Sequence, residues 1–483
     1  MKKIKFLVLA AITLLYCSSV TASYTITASQ DAALPWHRNK IYLNPNVNDG
    51  YFVSIKHHPI NGKAYVSYYD TYNKDLKLAY QVSPGLGNCG PNASWRCRTV
   101  DSDGDVGKYT SIDVAYVVNP SFPALSYTKV GISYYDESNK ALKYALYRSD
   151  SPTIGVQSVD VAINSSVSSL GKFSSLKFEP ETHSPVISYY AHNWYDQYVG
   201  YSALKLATYV GSGGTGCNNS TGGKWTCEEI DRLTGAHEGN NKNGSHSSLD
   251  FNYLGNLYIA FHDSYTDELQ YAVHVGSGGS CSNPAWNCVL VDGGGALSAA
   301  TGYSISMHAK KSSMDRMRIA YWMPGAGYLR YAVSRLSGTD GNCDNGAFDC
   351  ITVDEVHMPV DSWESEDSFG YSEISLAMDA NNAPMITYSN GYSLKLARPA
   401  SAYGLAWGNC GDPWPGGDHP YFQCTILHSA LDSDGVLGQF NSLSVSPSGL
   451  PMVAYSEDIF SPVEQFLWVT YKVYESYLPL IKR

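Results

Sequence analysis

The sequence lacks three features, and each absence excludes a class of protein. After residue 16 no apolar run is long enough to cross a bilayer. No long segment has the 3.6-residue periodicity of an amphipathic helix. Basic residues are not in excess, since 33 Lys and Arg stand against 44 Asp and Glu. Because nucleic-acid binding needs a basic surface, we expect no nucleic-acid partner, no membrane span and little helix.

The first 22 residues have the pattern of a secretory signal peptide. Lys2, Lys3 and Lys5 precede an apolar run from Phe6 to Tyr16, and Val20-Thr21-Ala22 offers a small-residue cleavage site. We therefore expect cleavage near Ala22 and a secreted chain, extracellular or periplasmic. Lipid attachment at Cys17 is the alternative, although the preceding Tyr16 is bulky. Loss of three lysines takes the net charge from −11 to −14.

Ten cysteines remain after the signal and fall into local pairs, each with an aromatic residue two positions before its second member. An even number of cysteines in a secreted chain is typical of disulfides. Zinc is the alternative, but no CxxC knuckle or histidine partner accompanies any pair. The predicted disulfides are Cys89–Cys97, Cys217–Cys227, Cys281–Cys288, Cys343–Cys350 and Cys410–Cys424.

One five-residue pattern recurs seven times along the chain. It begins as Val66-Ser67-Tyr68-Tyr69-Asp70 and continues with a Val or Ile, a small residue and an aromatic in every copy. Copies start 55 to 72 residues apart, a period that indicates a ring or array of small sheets. The copies begin at Val66, Ile132, Ile187, Ile259, Ile319, Ile386 and Val453.

Each repeat divides into four short alternating segments separated by turn residues, which we name strands A to D. Seven such units predict an all-β, seven-bladed β-propeller over residues 23–475, followed by a tail at 476–483. The last repeat lacks strand D, so residues 36–43 are expected to close the ring on the C-terminal blade. The basic residues of strand C are expected to reach solvent from the outer half of the blades: Lys77, Lys143, Lys205, Arg330 and Lys395.

This repeat resembles the seven-bladed sialidase-like and lectin-like propellers of secreted bacterial proteins, in particular repeats with an I-S-Y-Y-D … L-K-Y-A core. The resemblance covers the whole mature chain and implies the fold, but that fold hosts binders, lyases and hydrolases alike. The Asp-box of sialidases, Ser-x-Asp-x-Gly-x-Thr-Trp, is absent. No arginine triad occupies matching inner-strand positions either, which argues against sialidase activity.

Candidate site residues are those that depart from the repeat where strand A begins, at one mouth of the central channel. Blade 4 alone has a histidine, His246, at an otherwise mainly aromatic position, and it has His262 where blades 1 to 3 have tyrosine. Two histidines can act as acid and base or bind a metal. Neighbouring residues expected to join them are Asp263, His192, His237 and Tyr190.

Two further departures involve acidic residues. Glu373 is predicted to interrupt a ring of serines on strand A, as an acid, a base or a cation ligand, and Trp363 lies in the acidic connection before it. Asp101, Asp103 and Asp105 resemble a calcium loop, but they lack the distal glutamate of an EF-hand. An Asp- and Gly-rich turn is the alternative interpretation.

These patterns favour a lectin-like propeller that binds an extracellular glycan or polysaccharide at the channel mouth or between blades. A carbohydrate-active enzyme, either a polysaccharide lyase or a glycoside hydrolase, is the first alternative, with His246, His262, Glu373 and Tyr190 as its candidate catalytic residues. An extracellular scaffold for protein partners is the second. No cofactor other than calcium is implied.

Overall fold

Short alternating segments and frequent turn residues form strands throughout the chain. The computed structural model describes residues 35–41, 49–162, 168–196, 199–218, 222–234, 244–293, 301–324, 326–356, 373–430, 435–460 and 463–472. Its helices in these ranges are short 3-10 turns at Pro91–Ala93, Pro123–Leu125 and Ala400–Tyr403. The predicted signal peptide, Cys17 and the tail lie outside the described residues.

The strands form seven antiparallel sheets in a ring, which confirms the predicted seven-bladed β-propeller. The strands of each blade are given from the channel outward. Blade 1 contains β2 (Asp49–His57), β3 (Ala64–Asp70), β4 (Asp75–Gln81) and β5 (Trp95–Asp101), and blade 2 contains β6 (Val106–Val117), β7 (Tyr127–Asp136), β8 (Ala141–Arg148) and β9 (Ile154–Val161). Blade 3 contains β10 (Ser168–Phe178), β11 (Pro185–Asp196), β12 (Val199–Tyr209) and β13 (Trp225–Thr234), and blade 4 contains β14 (Ser245–Phe251), β15 (Leu257–Asp263), β16 (Glu268–His274) and β17 (Trp286–Asp292).

Blades 5 to 7 follow the same order, except that blade 6 has a fifth strand at its outer edge. Blade 5 contains β18 (Tyr303–His308), β19 (Arg318–Met323), β20 (Tyr328–Ser334) and β21 (Phe348–Glu355). Blade 6 contains β22 (Ser375–Met378), β23 (Pro384–Ser389), β24 (Ser393–Pro399), β26 (Pro420–Ser429) and β25 (Cys410–Pro413). Blade 7 contains β27 (Gly435–Val445), β28 (Pro451–Phe460), β29 (Val463–Lys472) and β1 (Trp36–Lys40).

The first strand closes the ring, as the missing strand D of the last repeat predicts. β1 pairs antiparallel with β29, from Trp36 opposite Lys472 to Lys40 opposite Trp468. The pairing gives the outer edge of β29 a hydrogen-bonded partner, so blade 7 does not end one strand short.

The apolar core lies between the blades rather than in one central mass. The cluster around Leu142 and Tyr144 of blade 2 continues into Ile187 and Tyr189 of blade 3. Strand B is therefore buried on both faces; every residue of β3 is buried. This explains the repeat, since a large aromatic on one face needs a small residue on the other.

All five predicted disulfides are present: Cys89–Cys97, Cys217–Cys227, Cys281–Cys288, Cys343–Cys350 and Cys410–Cys424. The aromatic residue two positions before each second cysteine is buried against the core, as Trp225 and Trp286 illustrate. Five disulfides are typical of a protein that matures in an oxidising compartment. No helix in the described ranges is long and apolar enough to cross a membrane.

The basic residues of strand C are not the solvated surface that the sequence suggested. Lys143 is 6% exposed and Lys205 is 8% exposed. In blade 2 the Lys143 ammonium lies 2.5 Å from Asp101, the aspartate that ends strand D of blade 1. Tyr134 of blade 2 donates a hydrogen bond of 2.6 Å to the same carboxylate. The prediction failed because the partner lies on the preceding blade, about 40 residues away in the sequence.

The same Tyr–Asp–cation contact, which we call the inter-blade clasp, recurs at three other blade junctions. A buried ion pair of this kind is well satisfied, because the carboxylate also accepts a tyrosine hydroxyl. Blade 4 departs from it, with Phe261 and Gln270 in place of the tyrosine and the lysine. The three recurrences are Tyr189 and Lys205 with Asp160, Tyr321 and Arg330 with Asp292, and Tyr388 and Lys395 with Asp354.

We expect Asp101→Asn to lower the free energy of unfolding by about 2 kcal/mol at pH 7, because it removes the nearer of the two carboxylates beside the buried Lys143 ammonium. Asp136, 3.5 Å from the same ammonium, remains as its counter-ion. Burial, the largest influence, raises the pKa of Asp101, but Lys143 and Tyr134 together hold that pKa below its ordinary value. A depressed carboxyl pKa stabilises the folded state above about pH 4, and that contribution is lost as the pH falls through the folded pKa.

Urea unfolding of the wild type and the variant at pH 7 and pH 3.5 measures both effects. Asp103→Asn is the matched control, since Asp103 is an exposed residue of the same turn. An equal loss in the two variants would contradict the clasp as a stabilising contact.

Candidate functional site

The innermost strand of each blade, strand A, lines a channel along the axis of the ring. We call the two cavities of this channel the upper vestibule, where each strand A begins, and the lower vestibule, where it ends. Their volumes are 270 Å³ and 720 Å³. One ring of seven serines borders both cavities and so separates the two vestibules: Ser54, Ser111, Ser175, Ser248, Ser306, Ser375 and Ser442.

Each serine of this serine ring joins its blade to the next one. The hydroxyl oxygen accepts a hydrogen bond from a backbone N–H one residue further along strand A of the following blade, over 2.8 to 3.2 Å. Because the inner strand is an edge strand, these N–H groups have no partner in their own sheet. The seven donors are Ile55, Ile112, Leu176, Leu249, Met307, Leu376 and Leu443.

The prediction that Glu373 interrupts the serine ring is wrong. Strand pairing places Ser375 opposite Thr387 and Ser306 opposite Ala320, just as Ser54 lies opposite Ser67 in blade 1. The position that is aromatic in blade 1 is preceded in blade 5 by Tyr303, one residue earlier, and in blade 6 by Tyr371, two residues earlier; aligning the repeats on these tyrosines shifts the register. All seven serine positions are therefore occupied by serine.

Glu373 belongs instead to a second ring, two residues before the serines, which we call the mouth ring. It lines the upper vestibule with a gradient of chemistry around the channel. Blades 7, 1, 2 and 3 contribute aromatic side chains, whereas blades 4, 5 and 6 contribute polar ones. Its members are Phe52, Tyr109, Phe173, His246, Ser304, Glu373 and Phe440.

Five mouth-ring residues have left-handed backbone conformations inside a strand. Their φ angles lie between 46° and 54°. The A–B pairing is interrupted at each of these positions, for example between Lys172 and Ser175. A bulge of this kind turns the side chain out of the sheet and toward the channel axis, at a cost of about 1–3 kcal/mol per strained residue. The five are Phe52, Tyr109, Phe173, His246 and Ser304.

A glycine two residues before the mouth ring permits this approach. Gly171 has a φ of 115°, and a Cβ there would lie 2.7 Å from the Cα of Leu142 on the preceding blade. Gly107 has a φ of 116° and meets Leu76 in the same way. The Gly-x-aromatic repeat is visible in the sequence and marks the true register of strand A.

Ring contacts connect the mouth ring into an arc around two thirds of the vestibule. Centroid distances are 4.8 Å for Phe440–Phe52, 4.6 Å for Phe52–Tyr109 and 4.7 Å for Tyr109–Phe173. The arc continues to His246, 4.3 Å from Phe173. Tilted contacts at these distances suit the aromatic quadrupoles and make the arc rigid.

Glu373 stands where the aromatic arc is open. Its backbone is fixed by blade 7: its N–H donates to the carbonyl of Gln439 over 2.8 Å, and its carbonyl accepts from Asn441 Nδ2 over 2.5 Å. Burial raises the pKa of Glu373 to about 8. The carboxyl group is therefore largely protonated at neutral pH, the form in which it can donate a hydrogen bond.

The two histidines of blade 4 lie on different sides of the vestibule wall. His246 is half-buried and lines the upper vestibule. His262 is fully buried; its Nδ1 lies 2.7 Å from the Thr301 carbonyl and its Nε2 lies 3.6 Å from Asp267. Tyr303 separates them, with its ring 5.3 Å from that of His246 and 4.3 Å from that of His262.

Of the other predicted site residues, one lines the upper vestibule and two lie outside its lining. Tyr190 lines the upper vestibule with His246 and Glu373. His192 is buried and stacks on Tyr190, with ring centroids 6.2 Å apart. Asp263 lies outside the vestibule lining and accepts hydrogen bonds in its own hairpin from Tyr265 N–H and Gln270 Nε2. His237 and Trp363 lie outside the described residues.

Lys172 is a vestibule residue that the sequence patterns did not indicate. Lys172 is buried beside Phe173, lines the upper vestibule and places its ammonium 5.8 Å from the centre of the Tyr135 ring. Its position directly after Gly171 would have identified it, since the same place in blade 2 is also a lysine, Lys108.

The predicted calcium ligands point to different partners. Asp101 belongs to the inter-blade clasp, whereas Asp105 accepts a hydrogen bond of 2.7 Å from Tyr69. In the described part of the chain, the one close cluster of potential metal ligands is Asp231 with Cys281 and Cys288, and those cysteines form a disulfide. The calcium prediction gains no support from Asp101, Asp103 and Asp105.

Comparisons with known proteins show no relative in sequence. No protein-family model and no curated protein matches the chain. Among solved structures it is similar to the WD40 domain of SCAP from fission yeast, with 9% identity, 93% of this chain and 89% of that chain covered, and a TM-score of 0.37. It is also similar to an exo-β-1,3-galactanase from Clostridium thermocellum, with 11% identity, 70% of each chain covered and a TM-score of 0.27.

We expect the wild type to lose stability relative to Glu373→Gln as the pH rises from about 5 to about 8. A carboxyl group with a pKa raised to about 8 keeps its proton in the folded state, whereas the unfolded chain has already lost it. The folded state therefore binds more protons across this range, and rising pH favours unfolding.

Chemical unfolding at pH 5, 6.5 and 8 compares the two proteins. Glu355→Gln is the control, because Glu355 is exposed. A constant difference between wild type and Glu373→Gln at all three pH values would show that Glu373 titrates normally.

Proposed function

We propose that the upper vestibule binds a glycan, and that this protein is a carbohydrate-binding β-propeller. The observation that supports the proposal is the asymmetry of the mouth ring. Aromatic side chains line one side of a concave site, and His246, Ser304 and Glu373 line the other. A sugar ring has apolar C–H faces and hydroxyl edges, so this division of surfaces suits it on both sides.

The size of the vestibule limits how much of a glycan enters it. A volume of 270 Å³ lies near the lower end for small-molecule pockets, which begin at about 300 Å³. We infer that one sugar unit, at a chain end or as a branch, enters the vestibule while the rest of the glycan remains outside.

Rigidity supports a binding role. The left-handed residues of the mouth ring and the contacts within the aromatic arc hold the polar tips in place before a ligand arrives. Preorganised groups lose little conformational entropy on binding, which favours affinity.

A carbohydrate-active enzyme is the second candidate, and the raised pKa of Glu373 is the observation that favours it. A carboxylic acid that keeps its proton at neutral pH can protonate a leaving oxygen, with His246 or Tyr190 as the partner group. Most glycoside hydrolases use a pair of carboxyl groups. Among the described residues that line the upper vestibule, Glu373 is the one carboxyl group, so binding ranks first.

We expect the purified mature chain to bind a member of a glycan and polysaccharide panel, and His246→Ala to weaken that binding at least tenfold. The substitution removes one polar group and one end of the aromatic arc, and a tenfold loss corresponds to about 1.4 kcal/mol. Isothermal titration measures the affinity.

His274→Ala is the matched control, because His274 is an exposed histidine on an outer strand of the same blade. Equal loss in the two variants, or binding unaffected by His246→Ala, would contradict the proposed site. Ultraviolet absorbance of unsaturated products that depends on His246 would establish a lyase, and new reducing ends lost in Glu373→Gln would establish a hydrolase. If no glycan binds, a protein partner becomes the better hypothesis.

A further inference from the structure

The lower vestibule has a different chemistry from the upper one. It is the larger cavity, and its wall is formed two residues beyond the serine ring by a charged belt on strand A. All seven A–B loops around this mouth lie within the described residues. The belt contains Lys56, Asp113, Lys177, Asp250, His308, Ala377 and Ser444.

The acidic members of the belt have structural roles. Asp113 accepts a hydrogen bond of 2.8 Å from the backbone N–H of Phe178, on the next blade. Asp250 likewise accepts one of 2.9 Å from Ala309 N–H. Asp113 therefore joins blade 2 to blade 3, and Asp250 joins blade 4 to blade 5, by the same kind of contact that each serine of the serine ring makes. Their negative charge is therefore explained without a ligand.

The basic side chains around the vestibule are not equally neutralised. Lys311 lies 2.6 Å from Asp250, and Lys56 lies 3.6 Å from Asp113. Among the residues that the structure describes, no carboxylate lies within 4 Å of the Lys177 ammonium. Burial, the largest influence, lowers the pKa of Lys177, but Asp250 and Asp113 from a greater distance, together with a hydrogen bond to Lys56, raise that pKa above its ordinary value, so this side chain is charged.

Lys56 and Lys177 face the same cavity from blades 1 and 3. Their positive charges act on each other: the charge of Lys177 is the largest influence on Lys56 and lowers the pKa of Lys56. The two side chains are adjacent, since a hydrogen bond with Lys56 is one of the influences that raise the pKa of Lys177. Neighbouring ammonium groups that repel each other provide a site where an anion is stabilised by both.

The serine ring adds hydrogen-bond donors to the same cavity. Each hydroxyl oxygen already accepts a backbone N–H, so its proton is the group that remains to be used. Within the described residues these hydroxyl groups donate no hydrogen bond to the protein; Ser54, Ser111 and Ser175, for example, only accept one each. Hydroxyl donors beside two ammonium groups form an arrangement suited to oxyanions.

We propose that the lower vestibule binds an anionic group, a carboxylate, sulfate or phosphate, between Lys56 and Lys177 and below the serine ring. The site is separate from the glycan site and does not depend on it. Glu181 is an acidic residue at the rim of the lower vestibule, and its side chain is exposed to solvent. The volume of 720 Å³ leaves room for the molecule that carries the anionic group.

The test uses the full mature chain and four probes: sodium sulfate, sodium phosphate, sodium glucuronate and glucose. Titration at constant ionic strength, adjusted with sodium chloride, should show saturable binding of at least one anion and none of glucose. Lys177→Met should weaken anion binding at least tenfold, and Lys56→Met should also weaken it, because each removes one of the two charges.

Lys63→Met is the matched control. Lys63 is an exposed lysine on an A–B loop of the same face, outside the cavity lining, so the variant has the same net charge as Lys177→Met. Equal losses in the two variants would overturn the site, since they would reflect the charge of the whole face. The absence of saturable binding by any of the three anions would also overturn it.

A measurement on the wild type covers the case in which a variant does not fold. Acetylation of lysines, followed by mass spectrometry, should show that sulfate protects Lys56 and Lys177 and leaves Lys63 reactive. Uniform protection, or none, would contradict the proposal. His246→Ala should keep full anion affinity, so failure of the glycan site and failure of this site are distinguishable. Preference for glucuronate over the inorganic ions would identify an acidic sugar as the source of the anionic group.

Discussion

The channel depends on one repeated hydrogen bond, from a backbone N–H on strand A to the serine hydroxyl of the preceding blade. An inner strand has a neighbour on one side only, and its free edge would otherwise leave buried N–H groups unsatisfied. The seven serine hydroxyls each accept a hydrogen bond from one of these N–H groups, over distances of 2.8 to 3.2 Å. The same bonds fix the register between blades, and with it the positions of the mouth ring and of the charged belt.

The blades are tied a second time farther from the axis by the inter-blade clasp. In blade 7 the acid and the base of the clasp are replaced together. His428 takes the place of the aspartate and lies with its Nδ1 2.9 Å from the Tyr455 hydroxyl, while Trp468 takes the place of the lysine. A neutral histidine needs no counter-ion, and burial lowers the pKa of His428 to about 4. The loss of the acid and the loss of the base thus compensate each other.

The sequence predicted the blades, the ring closure and the disulfides because these depend on local patterns that repeat. It did not predict the register of blades 5 and 6, since the bulge that sets it is defined by pairing between strands, and a nearby tyrosine gives a false match. Glu373 was therefore assigned to the serine ring. The buried position of Lys143 was also missed, because its partner Asp101 belongs to another blade. Contacts between repeats leave weaker sequence signals than contacts within one.

Sevenfold repetition gives a symmetrical frame, and the candidate sites arise where neighbouring blades break it. In the upper vestibule the departures are consecutive, at His246, Ser304 and Glu373 of blades 4 to 6, so they form one polar side opposite one aromatic side. Seven equivalent sites would need seven similar mouth-ring residues, which the chain does not have. The repeated geometry of the serine ring holds these unlike side chains two residues before equivalent serines, and a single asymmetric candidate site at the channel mouth follows.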